Sequence, residues 1–288
     1  MESEMSRESQ SLMQIALRRL VRKRAAMVGL FIVVVVIIMA IFAPWLAPYP
    51  PTQQNFRMIN QPPQAGYLLG TDHIGRCVLS RMIYGSRISL WVGIMVTFFR
   101  VIIGIPLGLI AGYAGGRVDA VIMRLADTFI AFPGILLAIS IMAIFGPGLN
   151  NVMLALSVVG WPTYTRLVRG ATLTLKEIEF VEAGRALGAP VSRIMVHYLL
   201  PNMISTLIVF TTLGMATPIV AEASLSFLGL GVQPPTVSWG RMLSEGRRFL
   251  RFAPWTTTYT GIAITVTVLG YNLLGDGLRD ALDPRLKD

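Results

Sequence analysis

Residues 25–47, AAMVGLFIVVVVIIMAIFAPWLA, decide the fold class, because they hold no charged side chain. The hydrocarbon core of a membrane is about 30 Å thick, and a helix of about 20 apolar residues crosses it. A signal peptide also begins with basic residues, but its apolar part is shorter and a small-residue cleavage site follows it. Neither feature occurs here, so we expect a retained membrane span with Trp45 and Tyr49 at the far interface.

The composition of the whole chain also indicates a membrane protein. Of its 288 residues 54% are hydrophobic and only 14% are charged, and the mean hydropathy is +0.63. Soluble domains usually carry about 25% charged residues. The net charge of +10 is therefore better explained by Lys and Arg anchoring loops at the membrane than by nucleic-acid binding. The single cysteine, Cys77, excludes a disulfide within the chain.

Further apolar stretches of comparable length follow the first one. The six predicted spans cover residues 25–47, 88–111, 118–145, 149–168, 203–230 and 256–274. We therefore expect an all-α integral membrane protein, with an N-terminal segment at 1–24, a loop on the opposite side at 48–87 and a helical core at 88–288. Lys and Arg are enriched in the segments that lie on the side of the termini, and the positive-inside rule places both termini in the cytoplasm.

The second span carries Gly104, Gly108 and Gly112 at intervals of four residues. Small residues at this spacing allow two membrane helices to approach closely. Glycine is also common in membrane helices without such a role. The sequence alone leaves both interpretations open.

Several catalytic and nucleotide-binding motifs are absent from the sequence. No Gly-Lys dipeptide occurs, so there is no Walker A loop, and neither His-Glu-x-x-His nor Gly-x-Ser-x-Gly is present. The adjacent Asp72 and His73 are too few for a metal site. We therefore assign no catalytic, cofactor-binding or metal-binding residue and expect no enzyme activity in this chain.

Ionisable residues in or near the spans are candidates for a transport pathway, because a charge inside the membrane is costly. They are Arg100, Asp127 and Glu222. We interpret Arg100 and Asp127 as structural or interfacial charges. Glu222 precedes the polar stretch ASLSFLGLG in the fifth span, so it is the candidate for lining a pathway.

Residues 180–202, FVEAGRALGAPVSRIMVHYLLPN, interrupt the apolar sequence with a charged, amphipathic segment. Helical spacing places Phe180, Ala183 and Leu187 on one face. Gly188 is expected to end this helix, and Pro190 to begin a second short helix that Pro201 closes. The pair either lies flat on its own bundle or docks into a groove on a soluble partner.

This segment resembles the EAA loop of ABC importer permeases, whose pattern is Glu-Ala-Ala, Gly and Ile-x-Leu-Pro at fixed spacing. The matching residues are Glu182, Ala183, Gly188, Leu200 and Pro201. Two positions depart from the pattern: Gly184 stands for the second Ala, and Tyr198 for the Ile. Residues 68–90, 222–243 and 272–288 resemble stretches of the oligopeptide/dipeptide/nickel permease family, C-type subunit, although Cys77 replaces its usual Asp.

The resemblance implies a six-helix, type I ABC importer permease in a bacterial or archaeal cytoplasmic membrane. It implies as partners a homologous second permease, two ATP-binding subunits and an extracytoplasmic substrate-binding protein, within membrane lipid. The implied ATPase-coupling loop is 176–202, with Phe180, Glu182, Ala183, Leu187, Gly188, Leu200 and Pro201 as its functional residues. Glu182 would make a polar contact to the ATPase. Peptides are the expected cargo; nickel or another small solute, a stand-alone secondary carrier and a membrane anchor are the alternatives.

Overall fold

The computed structural model describes residues 18–282 and contains no β-strand within that range. Two isolated bridge pairs, Gln64 with Tyr67 and Thr71 with Cys77, are the extended contacts found there. The prediction of an all-α protein is therefore confirmed for this part of the chain. Residues 1–17 and 283–288 lie outside the described residues, and with them most of the predicted N-terminal segment and the end of the C-terminal motif.

After a short helical stretch at residues 18–22, the α-helices of the described range follow the predicted spans in order, with shorter helices in the connecting segments. They are α1 (Arg24–Ile41), α2 (Ala43–Leu46), α3 (Val78–Ala114), α4 (Gly116–Ala131), α5 (Gly134–Phe145), α6 (Leu149–Leu175), α7 (Glu179–Ala186), α8 (Val191–Arg193), α9 (Leu200–Gly214), α10 (Ala216–Phe227), α11 (Trp239–Gly246) and α12 (Pro254–Leu282). A π-helical turn, Ile194–Leu199, joins α8 to α9.

Four helical segments in residues 18–282 are long and apolar enough to cross a membrane. They are Arg24–Ile41, Val78–Ala114, Val191–Phe227 and Pro254–Leu282, and α4 with α5 makes a fifth if that bent pair is one span. Helix α6 coincides with the fourth predicted span but is not among them. The number of spans, six, therefore stays a prediction.

Helix α3 begins at Val78, ten residues before the start that hydropathy predicts for the second span. Residues 78–87 of the predicted loop are therefore helical, and the side of the membrane on which they lie stays a prediction. Ser80, Arg81 and Ser86 made the first turns look like a loop, yet all three side chains are buried. Their polar groups are satisfied inside the protein, for example by a hydrogen bond from Ser86 Oγ to the carbonyl of Ile83 at 2.6 Å.

The third predicted span, residues 118–145, is not one helix. It is α4 and α5, which meet at about 90°. Pro133 lies at the break and caps α5, and Phe132 before it is extended, with φ −90° and ψ 138°. Proline has no N–H to continue the helix, and its ring disfavours a helical conformation in the preceding residue. The predicted span gave no weight to this proline, and whether the bent pair crosses the membrane as one span stays a prediction.

The glycine face of α3 packs directly against α6. A Cβ placed on Gly104 would lie 2.4 Å from Tyr164 Cβ, one on Gly108 would lie 2.6 Å from Val168 Cβ, and one on Gly112 would lie 2.6 Å from a side-chain atom of α6. Real Cβ atoms do not approach so closely, so only glycine permits this helix separation. Of the two interpretations of the glycine pattern, close helix packing is confirmed.

Candidate functional site

The segment that follows α6 forms a helical hairpin, residues 179–199, of α7, a turn, α8 and the π-helical turn. Gly188 has φ +78°, which L side chains rarely adopt, and ends α7. Its N–H donates to the carbonyl of Arg185 and that of Ala189 donates to the carbonyl of Gly184, both at 3.0 Å. This is the hydrogen-bond pattern of a glycine-terminated helix. Pro190 then caps α8, so both predicted boundaries are confirmed.

The second half of the hairpin does not end at Pro201, contrary to the prediction. Leu200 donates its N–H to the carbonyl of Met195, which widens the last turn to the i→i+5 pattern. Pro201 lacks an N–H and would crowd the carbonyl four residues earlier in a regular α-helix. The widened turn removes that conflict, and α9 continues directly from the hairpin into the membrane-spanning segment Val191–Phe227.

The hairpin packs on the bundle through residues other than the predicted apolar face. Val181, Ile194 and Leu199 are buried and form one core cluster with Leu109 of α3 and Val168 of α6. A displacement of the hairpin would therefore act directly on the long helices.

The predicted apolar face of α7 points away from the bundle. Leu187 is 87% exposed and Phe180 is 39% exposed, and Ala183 between them is also exposed. The pair therefore lies on its bundle through other residues, and docking of this face on a soluble partner stays a prediction. The three side chains form an apolar ridge, Phe180–Ala183–Leu187. Phe180 stacks on Tyr198 of the same hairpin, whereas Leu187 stays almost fully exposed. Glu182 beside the ridge is exposed and forms no ion pair with any residue that the structure describes.

Glu222 is fully buried in the described part of the chain. Its Oε1 accepts hydrogen bonds from Ser226 Oγ at 2.6 Å and from Ser238 Oγ at 2.9 Å, while Oε2 has no partner among residues 18–282. Ser238 also accepts a hydrogen bond from Arg241 N and caps α11. The carboxyl group thus joins α10 to α11. Its role in lining a pathway stays a prediction.

The other two charges in the predicted spans have structural partners. Arg100 donates from Nε and Nη2 to the carbonyl of Leu156, at 3.1 and 2.9 Å. Asp127 pairs with Arg166, and both side chains are about half exposed. These contacts support the interpretation of Arg100 and Asp127 as structural charges.

A cluster of charged side chains, which we call the loop ion-pair cluster, joins the segment before α3 to helix α11. Its five members are Asp72, Arg76, Arg81, Arg241 and Glu245. Arg81 is almost fully buried and bridges Asp72 Oδ2 at 2.6 Å and Glu245 Oε2 at 2.9 Å. The sequence reasoning missed this cluster, because its two halves lie 164 residues apart.

The electrostatics of the loop ion-pair cluster favour ion pairs over a metal ion. Burial alone would raise the pKa of Glu245, but the three surrounding guanidinium groups lower it to about 2. Burial lowers the pKa of the neighbouring His73, against the opposing effect of the two carboxylates. Asp72, His73 and Glu245 place their ligand atoms within 4.8 Å of one another. However, the carboxylate oxygens already accept hydrogen bonds from arginines, which leaves little capacity for a cation.

A model of a known protein family matches most of the chain. Residues 104–288 match the model described as "Binding-protein-dependent transport system inner membrane component". Residues 11–63 match the N-terminal transmembrane domain of oligopeptide transport permease C. The chain belongs to the binding-protein-dependent ABC importer permeases.

Two similar proteins are named as bacterial transport permeases. A dipeptide transport system permease protein DppC of Alkalihalophilus pseudofirmus is 46% identical over 274 residues, covering 94% of this chain and 90% of the relative. A glutathione transport system permease protein GsiD of Pectobacterium atrosepticum is 44% identical over 271 residues, covering 94% and 90%. The motif resemblance to the C-type permeases of the oligopeptide/dipeptide/nickel family is confirmed.

The fold of the permease also matches a solved structure. A chain of the MetNI methionine ABC transporter, in an inward-facing conformation, superposes with a TM-score of 0.58 at 21% identity, covering 70% of this permease and 96% of that chain. At this level of identity the match supports the fold alone. The chain is thus a membrane-embedded transport subunit with the helix arrangement of an ABC importer permease.

Proposed function

We propose that this permease carries short peptides across the cytoplasmic membrane as one transmembrane subunit of an ATP-driven importer. Its relatives are named for dipeptide and glutathione transport, which supports peptide cargo, since glutathione is itself a small peptide. The ATP is hydrolysed in two separate subunits, because this chain has no Walker A loop. A homologous second permease completes the pathway, and a substrate-binding protein delivers the peptide from the extracytoplasmic side.

The observation that carries this proposal is the apolar ridge Phe180–Ala183–Leu187 on the hairpin. An amphipathic helix with such a face fits the helix-in-groove mode of recognition. The ridge inserts into a groove on the ATP-binding subunit, and Glu182 beside it makes a polar contact there. Gly188 provides the sharp turn, and Leu200 and Pro201 connect the hairpin to α9.

Movement of the ATP-binding subunits passes to the membrane through the buried side of the hairpin. Val181, Ile194 and Leu199 contact Leu109 and Val168, so a rigid hairpin transmits a displacement to α3 and α6. The bundle then behaves as a two-state element biased by its partner. Six spans, cytoplasmic termini and a cytoplasmic hairpin complete the proposed topology, with residues 48–77 and the loop that contains α11 on the other side.

Two other functions remain as alternatives. The same machinery could move nickel or another small solute, and competition for uptake between labelled dipeptide and nickel distinguishes these cargoes. A stand-alone secondary carrier would transport without ATP-binding subunits. The exposed ridge favours the ATP-coupled function, because a carrier working alone needs no unpartnered apolar face on a short loop helix.

The experiment compares Leu187→Asp with Leu250→Asp in the complete complex, reconstituted in vesicles. Leu250 is also exposed, at 48%, but lies in the loop after α11. We expect Leu187→Asp to insert normally and to lose ATPase recruitment and ATP-dependent dipeptide uptake, while Leu250→Asp retains recruitment. Unchanged recruitment and uptake in Leu187→Asp would contradict the docking role of the ridge. Absence of uptake by the wild-type complex would contradict the peptide function.

A further inference from the structure

One membrane-embedded face of the bundle carries polar side chains that are exposed on this chain. Thr217 of α10 and Asn272 of α12 line a cavity of about 440 Å³. Ser205 and Arg279 line a second cavity, of about 430 Å³, at the next part of the same face. Leu213 borders both cavities, so they are neighbours on this face, and we call the two together the track.

The polar groups of Thr217 and Asn272 differ from hydroxyls elsewhere in the apolar helices and from Ser224 of the same cavity, which donates to the carbonyl of Val220 at 2.9 Å. Ser140 and Thr265 donate to the carbonyl four residues earlier, each at 2.9 Å, so each hydroxyl donor is satisfied within its own helix. Thr217 and the Asn272 amide make no side-chain hydrogen bond to any residue between 18 and 282. An unpaired amide facing lipid is strongly disfavoured, because lipid offers no hydrogen-bond partner. This face is therefore directed at water or at a polar partner.

The track lies on the side of α10 opposite to Glu222. Five residues separate Thr217 from Glu222, which at 100° per residue places them about 140° apart around the helix. Thr217 is exposed, whereas Glu222 is enclosed by serines at the contact with α11. The exposed polar groups of α10 and the buried carboxyl group therefore serve different surfaces.

We propose that this track lines the path of the peptide, and that Thr217 and Asn272 bind its backbone. Both side chains are neutral hydrogen-bonding groups, which suit amide N–H and C=O groups and do not select among peptide side chains. The inference rests on the proposed function and assigns its pathway to named residues.

The second cavity of the track, which Arg279 lines, suits a charged end of the peptide. Arg279 is exposed in the second cavity and forms no ion pair with any residue between 18 and 282. A guanidinium group binds a carboxylate through two parallel hydrogen bonds, so Arg279 takes the carboxylate terminus of the peptide.

The test uses the reactivity of introduced cysteines with a membrane-impermeant thiosulfonate reagent. The native background is favourable, because Cys77 is the chain's single cysteine and is 2% exposed. Thr217→Cys and Asn272→Cys are compared with Phe31→Cys and Ile102→Cys, which replace apolar side chains exposed to 69% and 51% on α1 and α3. All variants are assayed in the complete complex in vesicles, with an alanine dipeptide as substrate.

We expect Thr217→Cys and Asn272→Cys to react, and saturating dipeptide with ATP to slow their labelling. The two control variants stay unlabelled until detergent is added. If the track positions do not react in a complex that still takes up dipeptide, the inference is overturned. The second permease would then cover this face, and the proposed function would stand. Labelling that dipeptide leaves unchanged would also overturn it. The proposed function itself fails only if unlabelled wild-type complex shows no ATP-dependent uptake.

Discussion

Tyr198 lies directly against Gly184 in the hairpin: a Cβ added to Gly184 would come within 3.0 Å of the ring atom Cε1. The same ring stacks on Phe180, with centroids 6.4 Å apart. Gly184 and Tyr198 are the two positions at which the chain departs from the EAA pattern. Because they touch, the two departures are one change in packing: a larger ring fills the space that a methyl group would occupy.

The first prediction is that Gly184 and Tyr198 are energetically coupled. Gly184→Ala alone crowds the tyrosine ring and should weaken ATPase recruitment and uptake. Gly184→Ala combined with Tyr198→Ile should recover most of that loss, with a coupling energy of about 0.5–3 kcal/mol. A double-mutant cycle on thermal stability and on recruitment measures the coupling. Purely additive effects would show that the two departures are independent.

The second prediction concerns the α3–α6 contact. Gly108→Ala places a methyl group 2.6 Å from Val168 Cβ and should destabilise the bundle by about 1–3 kcal/mol, the usual range for overpacking. Gly170→Ala on α6 is the matched control, because nothing lies within 4 Å of its added Cβ. It should be neutral or should stabilise by up to about 1 kcal/mol, since alanine favours the helix. Thermal unfolding in detergent distinguishes the two; equal effects would contradict the packing argument.

Sequence patterns predicted the features that depend on local physics. Apolar stretches indicated the long helices, and the conformational preferences of Gly188 and Pro190 located the turn of the hairpin. Pro133 carried an equally local signal, and the break at this residue could have been predicted. The early start of α3 could not, because Arg81 looks like a loop residue until Glu245, 164 residues later, is brought beside it.

The orientation of the hairpin was also beyond the sequence. Helical spacing grouped Phe180, Ala183 and Leu187 correctly on one face, but periodicity does not tell whether a face meets its own bundle or a partner. Val181, on the other face of α7, packs with Leu199 in the core. This contact shows which face of α7 meets the bundle. Only the tertiary contacts show which of two apolar sets is buried.

The third prediction is that the stability of the permease depends on pH through Glu245. Its pKa is about 2 in the folded protein, against an ordinary value of 4.5. The folded state therefore binds fewer protons than the unfolded state, so the stabilisation is present above pH 4.5 and is lost as the pH falls towards 2. The shift corresponds to about 3 kcal/mol.

Glu245→Gln tests this pH dependence. The variant should lose about 3 kcal/mol of stability at pH 7, because the buried Arg81 loses one of its two carboxylate partners. It should also lose stability less steeply than the wild type between pH 4.5 and 2. Glu177→Gln, which changes an exposed carboxylate, is the control and should follow the wild-type profile. Identical acid profiles for the wild type and Glu245→Gln would contradict the role assigned to this ion pair.

The fourth prediction separates the two sides of the hairpin by making the same substitution on each. Leu199 is fully buried beneath it, and Leu187 is 87% exposed on the ridge. Leu199→Ala should lower the stability of the isolated permease by about 2–5 kcal/mol, because it leaves a cavity in a packed core. Leu187→Ala removes no internal contact, so it should leave the stability of the permease unchanged.

The order of effects should reverse when the complete complex is assayed. Leu187→Ala should lower the affinity for the ATP-binding subunits and the coupled uptake of dipeptide, because the ridge loses its most exposed apolar side chain. Leu199→Ala, assayed at a temperature where it stays folded, should retain more of that affinity. Thermal unfolding of the permease and titration with ATP-binding subunits provide the two readouts. If Leu187→Ala destabilised the permease and left the affinity unchanged, the ridge would be an internal packing surface.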